Sequence, residues 1–414
     1  MKVLQVNVVY KKGSTGKIVF DIHQYLVSHD IESIVCYGRG EKIQERYIHK
    51  ICGEAYAKVN KVAAYVSGIM YGGCQLSTSA LIRTIKKENP DVVHLHCLNG
   101  NFVNIYRLIQ WLKQSQIKTV LTLHAEFMYT ANCAYALNCD RWKTGCGSCP
   151  RLKKETGSLF LDKTAKSWQC MKNAFDGFDR NLTVVSVSPW LRNRAMESPI
   201  LADKHHEVIL NGLDTDVFKW YDSSELRQKH HLTNEKIIFH ATPKFDNDPD
   251  NIKGGCYVID LARNLTDKNV KIIVAGSYPE GLAVPENIIL LGRITDQRLL
   301  AQYYSMADLT LLTSKKETFS MIVAESLCCG TPVVGFKAGA PEQITIPEYS
   351  DFVDYGDLSA MKFAVDRWLS SRVESSVITR AATHKYDKEN MVSHYIKMYK
   401  EMVQGKNDSV CCYK

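Results

Sequence analysis

Short runs of aliphatic and β-branched residues recur along the chain, separated by stretches whose apolar positions follow helical spacing. In the first half the runs are VLQVNVV (3–9), SIVCYG (33–38), DVVHLH (91–96), KTVLTLH (118–124) and LTVVSVS (182–188). Between them, TGKIVFDIHQYLVSH and NFVNIYRLIQWLKQ read as amphipathic helices. A second series opens after residue 205 with KIIFHAT (236–242), VKIIVAGS (270–277), IILLGR (288–293), LTLLTS (309–314) and TPVVGF (331–336). Runs this apolar suit strands buried on both faces, and strands alternating with helices imply βαβ crossovers and a parallel sheet. The pattern predicts two α/β domains with a seam near residues 198–210. The first is 1–204 plus a closing helix at 387–404; the second is 205–386. The tail GKNDSVCCYK is expected to fray.

At 414 residues the chain is too long for one ordinary core, which agrees with two domains. Apolar residues at 45% and charged residues at 23% are ordinary for a globular protein. The formal charge of +8 is mild and spread out, without the basic stripe and interleaved aromatics of a nucleic-acid binder. It suits phosphate-bearing ligands or an anionic membrane surface. MKVLQVNVVY meets Lys11 and Lys12 too soon, and without a small-residue cleavage site, to read as a signal peptide. No run of 18 apolar residues exists; residues 62–82 come nearest and are broken by Ser, Gly, Gln and Thr. The expected location is cytoplasmic, so the 14 cysteines are expected as thiols or metal ligands rather than a disulfide frame. The N-x-[ST] matches at Asn181, Asn264 and Asn407 then carry no meaning.

KKGSTGKIVF (11–20) places a glycine-bearing turn after the first strand. A nucleotide P-loop needs four residues between its glycines and a hydroxyl after its lysine. Here Gly13 and Gly16 enclose two residues, and Ile18 follows Lys17, so that reading fails. G-x-G-x-x-G is also absent. The turn suits an anion at a helix start, or it is simply a tight turn.

The stretch richest in candidate chemistry is TSKKETFSMIVAESLCCGTPVV (313–334). Glu317 falls in the loop after a strand, and Glu325 about two helical turns further on. The N–H groups of Phe319, Ser320 and Met321 lie near the helix start, where an anion is stabilised. Carboxylates beside such a site suit sugar hydroxyls, which need acceptors. The plainer reading is a solvated face with two ordinary glutamates.

With E-x7-E followed by SLCCGTPVVGFKAGAPE, this region resembles the donor site of family 4 glycosyltransferases, the retaining GT-B enzymes. VILNGLDTDVF (208–218) is similar to that family's linker motif through Asn211, Gly212, Asp214 and Phe218. IKGG (252–255) resembles its lysine-glycine pair, and LGRITDQRLLAQYYSMADLTLLTS (291–314), which contains Ile294, also follows its pattern. In the first half, GSTGKI, PDVVHLHCLNGNFVNIYRL, TLH, the cysteine-rich stretch and SVSPWLRNR resemble the enzymes of bacterial surface-polysaccharide synthesis. The resemblance implies two Rossmann-like domains facing a deep interdomain cleft, with the C-terminal helix crossing back to the N-terminal domain. It implies that Lys253 neutralises a departing diphosphate, with Lys244 replacing the family's usual arginine. Glu317 and His124 would contact the transferred sugar, and Glu325 the ribose. Gly13, Gly16, Ile294, Phe319, Ser320 and Met321 would line the substrate. Ala125 stands where the narrower group usually has Asp, and Glu317-Thr318-Phe319-Ser320 replaces the family's E-x-F-G. Both departures bear on sugar specificity.

The implied activity is transfer of a sugar, with retention, from a UDP- or GDP-sugar to a glycan, expected as a lipid-linked polysaccharide intermediate. It needs no catalytic cofactor, protein nucleophile or nucleic acid, and the enzyme would sit at most peripherally on the inner membrane face. A sugar-nucleotide 2-epimerase of similar fold and a non-catalytic nucleotide-sugar-binding protein are the competing readings. Asp214-Thr215-Asp216, a D-x-D that elsewhere holds a metal, sits inside the linker motif and reads as structural. CAYALNCDRWKTGCGSCP spaces Cys133, Cys139, Cys146 and Cys149 for structural zinc, or for a reduced or disulfide-linked loop. For His94 and His96 the expectation is one ring in the core and one at the cleft rim.

Overall fold

The computed structural model describes residues 1–405 except positions 159 and 372; the C-terminal tail from 406 lies outside the described residues. The chain divides into two units, Met1–Leu210 with the chain from Met391 onward, and Asn211–Asn390. The first is a seven-stranded parallel sheet of β1 (Lys2–Asn7), β2 (Glu32–Tyr37), β3 (Ile48–Lys50), β4 (Val92–Leu95), β5 (Lys118–Leu123), β6 (Leu182–Ser186) and β7 (His205–Val208). Their spatial order is β3-β2-β1-β4-β5-β6-β7. The second holds a six-stranded parallel sheet of β8 (Lys236–Lys244), β9 (Val270–Ser277), β10 (Ile288–Gly292), β11 (Leu309–Leu312), β12 (Val333–Phe336) and β13 (Ser350–Val353). Its order is β10-β9-β8-β11-β12-β13. In each sheet the winding reverses once, between β1 and β4 and between β8 and β11. A crevice at the carboxyl ends of the strands opens at such a point.

The central strands are buried along nearly their whole length, which is why their sequences show no alternation. The apolar runs located ten of the thirteen strands. The three they miss, β3, β7 and β13, lie at sheet edges, and IHK, HHEV and SDFV are too short and polar to announce themselves. The last helix, Lys388–Gln404, buries Met391, Val392, Tyr395, Met398, Tyr399 and Met402, spaced along one face. These pack against Val3, Val92, Val120 and Val185 of the first sheet, so the C-terminal helix does return to the N-terminal domain. Residues 62–82 fall on the end of one helix, a turn and the start of another. Among the described residues no helix is long and apolar enough to cross a membrane.

The linker motif is fastened where the chain later returns. Leu213 N–H donates to the Tyr386 carbonyl at 2.8 Å, and Lys388 N–H to the Leu213 carbonyl at 3.0 Å. Lys388 Nζ meets Asp214 Oδ2 at 2.7 Å, and Asp214 Oδ1 accepts from the N–H of Asp216 at 3.1 Å. Thr215 Oγ1 donates to Asp387 at 2.8 Å. Asp214 is thus a structural anchor. Partial burial acts to raise its carboxyl, but the Lys388 ammonium outweighs this and holds it below the usual range. A folded pKa below the unfolded one adds stability above about pH 4, which is lost as pH falls through the folded value. Asp214→Asn is therefore expected to lower stability at neutral pH by roughly 1 kcal/mol or less. Chemical denaturation at pH 7 and pH 3 checks this: the gap from wild type should close in acid.

Candidate functional site

In the second unit, two backbone close approaches shape the C-terminal edge of the sheet. Gly254 has φ +68°, and a Cβ there would lie 2.3 Å from the Thr313 carbonyl oxygen. A Cβ on Gly255 would lie 2.4 Å from the Asp246 carbonyl. Only glycine allows the segment after β8 to press this tightly against the loop after β11. The Lys253 carbonyl accepts from Thr313 Oγ1 at 2.9 Å, which fixes the lysine's backbone. Its Nζ then meets Glu317 Oε1 at 2.7 Å. Glu317 is buried, and its N–H donates to the Ala338 carbonyl at 3.0 Å, tying it to the segment after β12.

The helix Met321–Cys328 starts beside this pair. Ser320 precedes it at φ +86°, and no side chain caps the helix start. That backbone explains the glycine of the E-x-F-G pattern: the position lies where a Cβ is strained. The Ser320 hydroxyl is buried without a hydrogen-bond partner among the described residues. Phe319 is buried, and its side chain anchors the turn. Glu325, half-buried, accepts from Tyr304 Oη at 3.1 Å. Lys244, exposed at the end of β8, pairs with Asp246 at 2.7 Å. Ile294 lies half-buried in the loop after β10. His240 on β8 donates from Nδ1 to the Leu311 carbonyl at 3.0 Å, while burial pushes its pKa down to about 4. Its Nε2 has no partner among the described residues. His240 carries no signal of its own in the sequence, because it sits inside the apolar run KIIFHAT.

In the first unit the helix Gly13–Ser28 follows the glycine turn, with Gly13 at φ +67°. A Cβ on Gly16 would lie 3.1 Å from Val9 Cγ2. Asn7, at the end of β1, braces the turn: its Nδ2 donates to Val9 O at 2.8 Å, and its Oδ1 accepts from Cys97 N–H at 3.1 Å. His94 and His96 do not divide between core and rim. Both are buried, with ring centroids 3.8 Å apart. Residues two apart on a strand share a face, so the expected division is ruled out by the pleat.

These rings start a relay that fixes a tautomer. Gln5 Nε2 donates to the Val19 carbonyl at 3.3 Å, which turns Gln5 Oε1 toward His96 Nε2 at 3.2 Å. His96 therefore carries its proton on Nε2. Burial, with His94 and His124 nearby, holds it neutral, so its Nδ1 is an acceptor. His124 Nε2 lies 3.3 Å from that atom and supplies the proton. Burial also pushes His124 down to about 4. It is thus a neutral imidazole with an acceptor lone pair on Nδ1. Gln5 and Asn7 went unassigned, yet Gln and Asn in an otherwise apolar central strand were a legible signal.

The cysteine loop is held by hydrogen bonds. Trp142 Nε1 donates to the Cys139 carbonyl at 2.7 Å, and Trp168 Nε1 to the Trp142 carbonyl at 2.7 Å. Glu126, fully buried, accepts from Arg194 Nε, Tyr129 Oη and Ala136 N–H, each at 2.6 Å. This pairing joins the loop to the helix Pro189–Met196 and left no local trace in the sequence. Cys133, Cys139, Cys146 and Cys149 are free thiols. Burial raises Cys133, and pushes Cys146 up to about 12. Among the described residues no group of three or more His, Cys, Asp or Glu side chains is arranged to hold a metal ion. The four thiols do not form a ligand set in this arrangement.

Residues 15–217 match the family model for Glycosyltransferase Family 4, and residues 237–371 that for Glycosyl transferases group 1. The chain belongs to the family 4 glycosyltransferases. It is similar to the putative colanic acid biosynthesis glycosyl transferase WcaC of Escherichia coli K12, at 22% identity over 97% of this chain and all of the relative. N-acetyl-alpha-D-glucosaminyl L-malate synthase of Bacillus anthracis is 23% identical, over 79% of this chain and 78% of its own. Among solved structures, sucrose-phosphate synthase from Thermosynechococcus elongatus superposes with a TM-score of 0.69 at 14% identity, covering 98% of this glycosyltransferase and all of that chain. Anabaena HepE, solved with UDP, does so with a TM-score of 0.66 at 15% identity, covering 97% of this chain and all of its own. The fold of this glycosyltransferase is GT-B, with two Rossmann-like domains.

Two outcomes follow. Ser320→Gly should stabilise the protein by about 1 kcal/mol through relief of backbone strain, read as a rise in thermal midpoint. His94, His96, His124 and His240 are all held below the ordinary histidine pKa by burial. The unfolded chain binds their protons below about pH 6.5. Their contribution is therefore complete above that pH and is lost as pH falls toward the folded values, about 4 for His124 and His240. Thermal melts across this window should show a steep decline in midpoint, and a flat profile would contradict neutral buried rings.

Proposed function

We infer that this glycosyltransferase moves a sugar, with retention, from a nucleoside diphosphate sugar to a glycan acceptor carried on a lipid-linked polysaccharide intermediate. The observation that carries the donor reading is the Lys253–Glu317 pair at 2.7 Å, beside a helix start that no side chain caps. A cation, a carboxylate and backbone N–H groups then meet at the strand ends next to a winding reversal. These are the groups a sugar diphosphate needs. Lys253 and the N–H groups from Phe319 to Met321 stabilise the charge that develops on the departing diphosphate. Lys244 is the second cation. Glu317 accepts from hydroxyls of the transferred sugar, Glu325 from the ribose, and Ile294 adds apolar contact. The likeness to HepE, which has been solved with UDP-glucose, favours UDP over GDP.

In this reading the leaving phosphate oxygen takes the acceptor hydroxyl's proton on the face where the new bond forms. The chain supplies positioning and charge, and no covalent intermediate is required. His124, a neutral imidazole, faces the transferred sugar, and Gly13 and Gly16 admit the substrate close to backbone. The acceptor's lipid would bring the enzyme to the inner face of the membrane. Zinc on the four loop thiols rests on their spacing alone. It requires the thiols to draw together, and elemental analysis of the purified protein tests it.

Calorimetric titration with UDP, GDP, ADP and their sugar conjugates tests the donor reading. One nucleotide should bind selectively, and Glu325→Ala should weaken it by about tenfold or more. Lys253→Ala should cut turnover at least about a hundredfold with a smaller effect on nucleotide affinity. A product with the donor's anomeric configuration, read by NMR, supports retention. A folded protein that binds none of these nucleotides overturns the reading.

A further inference from the structure

The helix Glu54–Ser67 of the first unit is built inside out. It buries only Ala57 and Ala64, while its most exposed ridge is Ala55, Val59, Val62 and Val66. Positions 55, 59, 62 and 66 follow helical periodicity and lie along one line. Val59, Val62 and Val66 are 67%, 61% and 70% exposed, and the ridge is continued at both ends. Leu76, 72% exposed, sits beside the first turn, since its N–H donates to Tyr56 Oη at 3.1 Å. At the other end Gly68 caps the helix so close to the segment beyond that a Cβ there would lie 2.4 Å from the Leu161 carbonyl. This brings up Leu161 and Phe160, the latter 89% exposed. A helix of 14 residues with these extensions makes an apolar strip of at least about 20 Å. Single exposed apolar side chains are ordinary, whereas a contiguous strip marks a docking surface.

The charges beside the strip are basic. Lys58 and Lys61 flank the ridge, with Lys61 Nζ 5.6 Å from the Tyr65 ring centroid. Lys163 lies against Gly68. On the other flank a hollow of about 430 Å³ runs from Asn60 and Ala63 to Arg107. The nearby carboxylates are already engaged. Glu54 is held by Arg39 at 2.8 Å and Lys50 at 3.2 Å. Asp162 accepts from the N–H groups of Cys149 at 2.5 Å and Thr164 at 2.9 Å. A second copy of the chain fits poorly, because a twofold contact would face these lysines with their own equivalents. One helical ridge also falls short of the roughly 800 Å² per partner of a stable protein interface. A basic-flanked strip of this width suits a surface that is apolar below and anionic above.

We propose that this face, the ridge of Glu54–Ser67 with Leu76, Phe160 and Leu161, seats the first unit on an anionic phospholipid bilayer. The valines and Phe160 enter the headgroup–acyl boundary while Lys58, Lys61 and Lys163 pair with lipid phosphates. The proposal rests on the lipid-linked acceptor reading for its purpose, and it names the surface through which that acceptor is reached.

The test is co-flotation of the full-length protein, without donor or acceptor, with phosphatidylcholine vesicles and with phosphatidylcholine–phosphatidylglycerol vesicles, at low and high salt. Wild type should float with the anionic vesicles at low salt, and less at high salt. Val62→Asp and Val66→Asp should each lower the bound fraction by about tenfold. Lys58→Glu with Lys61→Glu should lower it at low salt only. Phe363→Asp, at a side chain 72% exposed on the second unit, is the control and should change nothing. Absence of binding by wild type, or binding that the ridge variants leave intact, overturns the proposal. So does a dimer in light scattering that Val62→Asp dissolves, since the ridge would then be a self-interface. UDP titration of the same samples reads the donor site independently. Wild type that binds nucleotide but no vesicle overturns this surface alone, and wild type that binds no nucleotide overturns the transferase reading.

Discussion

A parallel strand cannot be followed directly by its neighbour. The chain must return along the outside of the sheet, so every strand starts at one edge and ends at the other. Both units of this protein obey that constraint throughout, with every strand pair parallel. The loops after β1, β4 and β5 in the first unit therefore share one edge, as do those after β8, β11 and β12 in the second. Gly13, His96 and His124 are gathered by the first edge, and Lys253 and Glu317 by the second. The returning helices cover the faces, which is why the strands are apolar without alternation and why Met391 to Met402 must close the first sheet.

Gathering loops at an edge does not by itself set side chains to an ångström. Here that is done by backbone crowding and buried polar pairing. Gly254 lets two loops approach where any Cβ would collide, Gly255 lets its own segment fold back on Asp246, and the Lys253–Glu317 contact follows. Ser320 occupies a backbone state that favours glycine, so strain is stored at the start of the helix that carries Glu325. In the first unit the work falls to amides and imidazoles. Gln5 orients His96, and His96 orients His124, within a core where burial forbids charge. Such a relay has one consistent proton assignment, and the outermost ring inherits it.

The helix Glu54–Ser67 departs from the pattern of the two cores, where valines of the sheets are buried. On this helix Ala57 and Ala64 are buried and the valine ridge is exposed, as is Phe160 nearby. Apolar surface left in water costs free energy, and its continuity here argues that it is covered when the enzyme works.

By itself the sequence determined the class of fold and the identity of the main candidate groups. Ten strands were legible because burial on both faces demands unbroken apolar runs. Glu317, Lys253, Glu325 and the linker Asn211 to Phe218 were named as candidates by the resemblance of their motifs to the family 4 glycosyltransferases. The edge strands β3, β7 and β13 were not, since an edge strand needs less burial and tolerates HHEV as readily as a loop would. Pairings between distant positions were decided only by tertiary structure: Gln5 with His96, Glu126 with Arg194, Asp214 with Lys388. Nothing local marks one buried charge as the partner of another 68 residues on. The orientation of the valine ridge is the sharpest case. EAYAKVNKVAAYVS has apolar residues on more than one side, and only the packing of Ala57 and Ala64 decided which side faces water. A helical pattern fixes which residues share a face, but what that face meets depends on the rest of the fold.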